Sequence, residues 1–188
     1  LRLSVGDMLY VRLPDGKLSG TTVAKIDENR RAVTLQVCDS VLEVLKEEGE
    51  SQSEYCPETN LYLFQFIAKS SKMDLIVRQA AECGVLKIIP VTGKFTQNGG
   101  AEKNFRNSRY ERIVKEARQQ SGSPVSTEIA ETLTLDEACA FWKKIAGENS
   151  KDGFACVLYE RSKKTKNLYE VIPDSEKIKN CAVFCGAE

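Results

Sequence analysis

The chain has 188 residues, of which 41% are apolar and 29% are charged, and its 27 basic and 27 acidic residues leave no net charge. This length and composition allow one large domain or two small ones with a proper core. Zero net charge gives no general attraction to nucleic acid, so any such contact requires a local patch. The sequence contains no apolar run long enough to span a membrane and no visible signal peptide, although it begins with Leu1 rather than Met.

Cysteine and histidine usage narrows the possible chemistry. Seven cysteines stand singly without a CxxC motif, which favours free thiols in a cytoplasmic protein over a disulfide framework. The absence of histidine excludes Ser-His and Cys-His nucleophiles, imidazole acid–base catalysis and His-ligated metals. Cys181 and Cys185 share one face of a predicted strand and are interpreted as core packing. We therefore expect no metal site.

The first 39 residues contain short strand patterns. The segments DMLYVRL, LSGTTVAKID and AVTLQVCD alternate apolar and polar residues and are separated by the turns PDG and ENRR, which is typical of a small antiparallel sheet or barrel. The chain turns polar between Val41 and Pro57, as expected of a linker. We predict one domain over residues 1–56 and a second over residues 57–188.

Strands and helices alternate in the second part of the chain. The apolar runs LYLFQFIA, VLKIIPV, FACVLY and CAVFC are typical of strands that are covered on both faces. Three amphipathic helices are predicted between them: Lys72–Cys83, capped by Ser71, a second that starts at Ser108, and a third that starts at a Thr134/Glu137 capping box. The pattern predicts an α/β domain with a parallel sheet, whose ligand is expected beyond the carboxyl ends of the strands.

Two strand ends and one loop are candidate binding segments. LYER follows one predicted strand and CGAE follows the last. Gly186 is either a simple turn glycine or a position at which the main chain approaches a ligand too closely for a side chain. The loop KSSK, residues 69–72, is either solvated or a phosphate contact at a helix N-terminus. GxGxxG and P-loop motifs are absent, so dinucleotide and P-loop sites have no support.

Four stretches, in the same order, resemble one known family. KMDLIVRQAAECGVLKIIPV is similar to a Lys-Met-Glu, helix, Glu-Leu-Gly-Val and strand pattern, and RYERIVKEARQQSG resembles the helix that follows in that family. VFCGAE resembles the start of a Gly-Pro-Glu-Gly-Gly loop, and LRLSVGDMLYV resembles a Leu-Arg-Leu-x-x-Gly-Asp opening. The family is that of the small-subunit ribosomal RNA uridine-N3 methyltransferases, in the SPOUT superfamily, and the resemblance extends over nearly the whole chain.

The resemblance implies a fold, an activity and an assembly. It implies a PUA-like, RNA-binding β-barrel over residues 1–56, with its first strand missing, and a SPOUT methyltransferase domain over residues 57–188, with an incomplete trefoil knot. It further implies a cytoplasmic homodimer that uses S-adenosylmethionine (SAM) to methylate N3 of a uridine in the RNA of the small ribosomal subunit. By the same resemblance the chain stops inside a cofactor loop, so we expect these 188 residues alone to be inactive.

The resemblance also implies the binding residues. The cofactor loops would be formed by Leu158, Tyr159, Glu160, Cys185, Gly186, Ala187 and Glu188. The RNA phosphates would be contacted by Arg2, Lys69, Lys72 and Arg109. No catalytic base is assigned: without histidine it is a carboxylate, a water or a residue outside this sequence. The assignment requires the last strand to lie inside the sheet and a hollow to exist near Tyr159.

Three positions depart from the family pattern. Gln79 and Ser123 stand where the family has a lysine and an arginine, and Ala187 stands where it has a proline. The loss of two basic positions keeps a second hypothesis open, namely an RNA-binding or interaction module without methyl transfer. A small-molecule α/β enzyme is the third reading, and it has little support because no nucleophile is recognisable.

Overall fold

The computed structural model describes residues 2–13, 16–38, 40–41, 58–93, 108–147, 153–159, 166–172 and 178–187. The chain divides into two compact units, Leu1–Cys56 and Pro57–Glu188. Of the predicted linker, all but Val41 lies outside the described residues.

The first unit contains an antiparallel sheet. Its strands are β1 (Met8–Arg12), β2 (Leu18–Asp27) and β3 (Ala32–Val37), in the order β1-β2-β3. The register pairs Val23 with Leu35, so the two side chains lie on the same face of the sheet, and Val23 is buried there. The predicted antiparallel sheet is confirmed, whereas the described residues of this unit do not close it into a barrel.

The second unit is built on a parallel sheet of six strands. They are β4 (Asn60–Phe66), β5 (Lys87–Thr92), β6 (Glu128–Ile129), β7 (Leu133–Thr134), β8 (Gly153–Leu158) and β9 (Asn180–Cys185). The order is β6-β5-β4-β9-β8, with β7 also paired to β5, and all pairings are parallel. The predicted parallel sheet is thus confirmed. The last strand lies between β4 and β8, inside the sheet, as the methyltransferase assignment requires.

Helices cover both faces of this sheet. They are α1 (Ser70–Glu82), α2 (Ser108–Ser121), α3 (Leu135–Ala146) and the short α4 (Leu168–Val171). The predicted apolar stripes of α1 and α2 pack together with Ile88 in one core cluster. Ala138 of α3 belongs to a second cluster with Phe64, Ile89 and Phe184. Since Ile88 and Ile89 are adjacent in β5, the two clusters lie on opposite faces.

An aromatic group ties α3 to the centre of the sheet. The rings of Phe64 and Phe184 are stacked, with centroids 4.2 Å apart and an interplanar angle of 6°. The edges of Phe141 and Trp142 meet Phe64 at centroid distances of 6.3 and 6.4 Å. Such pairs each contribute about 0.5–1.5 kcal/mol beyond area burial. They fix β4 and β9 side by side beneath the helix.

The helix starts confirm one predicted cap and correct another. The Thr134 side chain accepts from the Glu137 amide, and the Thr134 amide donates to the Glu137 carboxylate at 2.8 Å. The Thr134 hydroxyl also donates to this carboxylate, and the two hydrogen bonds that the carboxylate accepts lower the pKa of Glu137. The cap predicted at Ser71 is wrong. The helix begins at Ser70, so Ser71 lies inside it and Lys69 is the N-cap residue. The side chain of Lys69 makes no capping hydrogen bond to the first turn of α1.

The longest described helix is α2, with 14 residues. Within the described ranges, none of the helices combines the length and the apolar character needed to traverse a bilayer.

Candidate functional site

A pocket of about 500 Å³ opens at the carboxyl ends of β4, β8 and β9. Its floor is formed by Phe66 and Phe184, and α3 forms one wall with Leu135, Cys139, Trp142 and Lys143. The ends of β8 and β9 contribute Val157, Leu158, Tyr159, Cys185 and Gly186. The described lining surface is almost entirely apolar, and Lys143 is the one charged residue that contributes to it. Its volume is that of a site for a small organic ligand.

Exposed apolar side chains concentrate at this pocket. Val157 is 70% exposed, Leu158 57% and Tyr159 62%, and they are consecutive in the sequence. Leu135 on the facing helix is 45% exposed. A contiguous apolar surface of this kind marks a place where another molecule binds.

The glycine turn after β9 is held from inside by a buried glutamine. Gln65 is 4% exposed, and its Nε2 donates to the carbonyl of Gly186 at 2.7 Å and to that of Phe66 at 2.8 Å. A Cβ added to Gly186 would meet no atom within 4 Å. The turn is therefore fixed on the protein side and open on the pocket side, where a ligand can reach its main chain.

The predicted cofactor residues converge only in part. Leu158, Tyr159, Cys185 and Gly186 line the pocket, and the required hollow near Tyr159 exists. Ala187 is exposed and does not line it. The predictions at Glu160 and Glu188 fall outside the described residues.

Sequence reasoning missed the wall formed by α3. Neither Cys139 nor Trp142 was among the candidate binding residues, whereas both line the pocket together with Leu135. A usable signal exists, because these residues stand at i, i+4 and i+7 and widen the apolar stripe beyond what the sheet can cover.

Three of the predicted RNA contacts lie around the start of α1. Lys69 and Lys72 are exposed and follow β4, so they lie at the same edge of the sheet as the pocket. Arg109, on α2, forms an ion pair with the carboxylate of Asp74, so its charge is already neutralised. Arg2 is exposed in the first unit.

Three thiols share one face of the sheet at β8 and β9. Cys156 pairs with Val183 in the register, and Cys181 and Cys185 lie two residues to either side of Val183. Burial raises the pKa of all three, and the neighbouring thiol Cys185 raises that of Cys156 further. These thiols are therefore protonated at neutral pH and are poor nucleophiles. None of the six cysteines in the described residues forms a disulfide.

Two of the departures from the family pattern have different environments. Gln79 is exposed on α1. Ser123, just after α2, is 7% exposed, and its Oγ has no hydrogen-bond partner. An arginine charge at position 123 would have to be buried, so the local packing here suits a small residue.

A parallel sheet whose central strands end at an apolar pocket defines the class of α/β proteins that bind a small ligand beyond the carboxyl ends of the strands. Residues 55–188 match the family model described as an RNA methyltransferase domain. The chain belongs to this family of RNA methyltransferase domains, which confirms the resemblance indicated by the ordered motifs.

Known relatives agree with this membership. The ribosomal RNA small subunit methyltransferase E of Aquifex aeolicus (strain VF5) is 33% identical over 82 residues, which are 43% of this chain and 36% of that protein. The chain thus spans just over one third of this curated relative.

Two solved structures share the fold. One is a ribosomal RNA small subunit methyltransferase E from Neisseria gonorrhoeae, solved with S-adenosyl methionine. Its TM-score is 0.66 at 16% identity, and the aligned part covers 97% of this chain and 67% of the Neisseria chain. The other is a protein from Legionella pneumophila, solved with bound SAM. Its TM-score is 0.65 at 15% identity, and the aligned part covers 97% of this chain and 66% of the Legionella chain.

Proposed function

We propose that the protein carrying this chain is a SAM-dependent methyltransferase that modifies N3 of a uridine in the RNA of the small ribosomal subunit. The observation that carries the proposal is the pocket at the ends of β8 and β9, in a chain of the RNA methyltransferase family. The name of the Aquifex relative supports a ribosomal RNA substrate. The bound ligand of the Neisseria and Legionella proteins supports SAM as the cofactor.

The pocket residues fit SAM by their chemistry. The apolar side chains of Leu158, Trp142 and Phe184 suit the faces of an adenine ring. The open space beside Gly186 lets an adenine edge or an amino-acid arm approach the main chain of the turn. When bound, SAM supplies an electrophilic methyl group on its sulfonium.

The proposed contribution of this chain is positioning. Gln65 fixes the Gly186 turn, and the apolar walls exclude water from the reacting groups. N3 of uridine lies on its pairing edge, so the target base must be unpaired or flipped out before it can reach the pocket. No described residue is proposed as the base that accepts the N3 proton.

The remaining parts of the proposal concern RNA binding and assembly. Residues 1–56 form a PUA-like RNA-binding domain and residues 57–188 the SPOUT methyltransferase domain. Lys69 and Lys72 contact RNA phosphates, with Arg2 from the first domain, and Arg109 does so only if the RNA displaces Asp74. The cofactor loops extend through Glu160, Ala187 and Glu188. The protein acts as a homodimer in the cytoplasm.

Two measurements on the full gene product test this proposal. Calorimetry with SAM is expected to show binding, and nucleoside mass spectrometry of small-subunit RNA incubated with protein and SAM is expected to show 3-methyluridine. Binding without methylated nucleoside would contradict the proposed substrate. No binding at all would leave the RNA-binding module as the function. The 188-residue chain is assayed in parallel, because the family resemblance predicts that it is inactive alone.

A further inference from the structure

The pocket carries one charged side chain among its described lining residues, Lys143 on α3. No described carboxylate forms an ion pair with this ammonium, in contrast to Lys87, whose Nζ lies 2.8 Å from a Glu128 oxygen. Lys143 stands four residues after Cys139 and eight after Leu135, so it continues the side of the helix that faces the pocket. The stem of Lys143 thus lines an apolar pocket, and its ammonium has no ion-pair partner among the described residues.

The charge selects one end of the proposed cofactor. SAM carries a carboxylate on its methionine arm and a positive sulfonium at its centre. The Lys143 ammonium attracts the former and repels the latter, and both effects are stronger beside an apolar wall than in water. We propose that Lys143 binds the carboxylate of the methionine arm and thereby sets the direction in which the cofactor lies. This inference rests on the proposed function.

The neighbouring lysine provides the comparison. Lys144 is also in the last turn of α3 and is also exposed, so both lysines interact equally favourably with the negative end of the helix dipole. Lys144 does not line the pocket. A general effect of positive charge at this helix end therefore predicts the same result for both positions, whereas a carboxylate site predicts an effect at Lys143 alone.

The test compares two ligands that differ only in the carboxylate. Calorimetry on the full gene product uses S-adenosylhomocysteine and its decarboxylated analogue, with the wild type, Lys143→Met and Lys144→Met. Methionine keeps the apolar stem and removes the charge. We expect Lys143→Met to weaken S-adenosylhomocysteine binding about tenfold, the size of a charge-assisted hydrogen bond. Binding of the analogue is expected to stay at the wild-type level.

The other variants complete the design. Lys144→Met should leave both affinities unchanged, and Lys143→Arg should restore most of the S-adenosylhomocysteine affinity. An equal loss for both ligands in Lys143→Met, or no loss for either, overturns the inference while leaving the cofactor site intact. Failure of the wild type to bind either ligand overturns the proposed cofactor site, and this inference with it.

Discussion

At the scale of single residues, the cofactor turn depends on Gln65. Its amide nitrogen donates to two carbonyls, those of Gly186 and Phe66. Replacement by leucine leaves both carbonyls short of a donor at a partly buried site, which costs about 1–3 kcal/mol. We expect Gln65→Leu to lower the free energy of unfolding by this amount in urea denaturation and to weaken SAM binding in calorimetry, because the Gly186 turn loses its support.

The matched control is Gln79→Leu. Gln79 is an exposed glutamine on α1, and none of the side-chain hydrogen bonds of the described residues involves it. Stability and SAM affinity should both remain at the wild-type level. Equal behaviour of the two variants would contradict the role assigned to Gln65.

Two exposed cysteines report on the pocket. Cys139 lines the pocket on α3, and Cys83 follows α1 away from it. Bound S-adenosylhomocysteine should shield Cys139 from N-ethylmaleimide, slowing its alkylation up to about 100-fold at a ligand concentration 100 times Kd. The alkylation rate of Cys83 should not change. Peptide mass spectrometry measures both rates in one sample, and equal rates at Cys139 with and without ligand would place the ligand elsewhere.

At the scale of elements, β8 is held against α3 by close contact at Gly153. A Cβ at this glycine would lie 2.8 Å from the Cβ of Ala146 and 3.3 Å from the Trp142 ring. We expect Gly153→Ala to lower the free energy of unfolding by about 1–3 kcal/mol, because a packed helix and strand must separate. Urea denaturation measures this change.

Gly186→Ala separates stability from binding. The added methyl meets no atom within 4 Å, so the free energy of unfolding should change by less than about 0.5 kcal/mol. The methyl enters the space proposed for the cofactor, so SAM affinity should fall. A stable variant with unchanged SAM affinity would exclude Gly186 from the cofactor site.

The predictable part of these elements follows from their periodicity. The stripe of α2 and the apolar runs of β4 and β9 were recognisable because burial on one face or on both imposes a pattern on the sequence. The start of α1 was not recognisable from the sequence, because the helix begins at Ser70, one residue before the predicted cap at Ser71. The position of β9 and the lining role of Cys139 depend on contacts distant in sequence, and a pocket wall follows the same apolar stripe as a core.

At the scale of the whole molecule, zero net charge leaves RNA attraction to local groups. Lys69 and Lys72 are the exposed candidates, whereas Arg109 is paired with Asp74. The double change Lys69→Ala, Lys72→Ala should reduce the slope of log affinity against log salt by about 1.4–1.8 for two lost phosphate contacts. Filter binding of a small-subunit RNA fragment at several salt concentrations measures this slope.

Arg109→Ala and Lys144→Ala serve as comparisons for the salt slope. Both remove one positive charge, but the first charge is already neutralised and the second is on a different helix. Each should change the slope by less than half of the double variant's effect. A uniform loss across all three variants would indicate attraction by total charge and not by Lys69 and Lys72.

The position of β9 also governs the order of folding. Asn60 of β4 meets Asn180 of β9 across 120 residues, with an amide–carbonyl contact of 3.2 Å between their side chains. Pairings so distant along the chain form late and slowly, because a large loop must close first. The chain between β4 and β9 therefore leaves the ribosome before the strand that pairs with β4 is available, and the ligand pocket cannot form until β9 has been made.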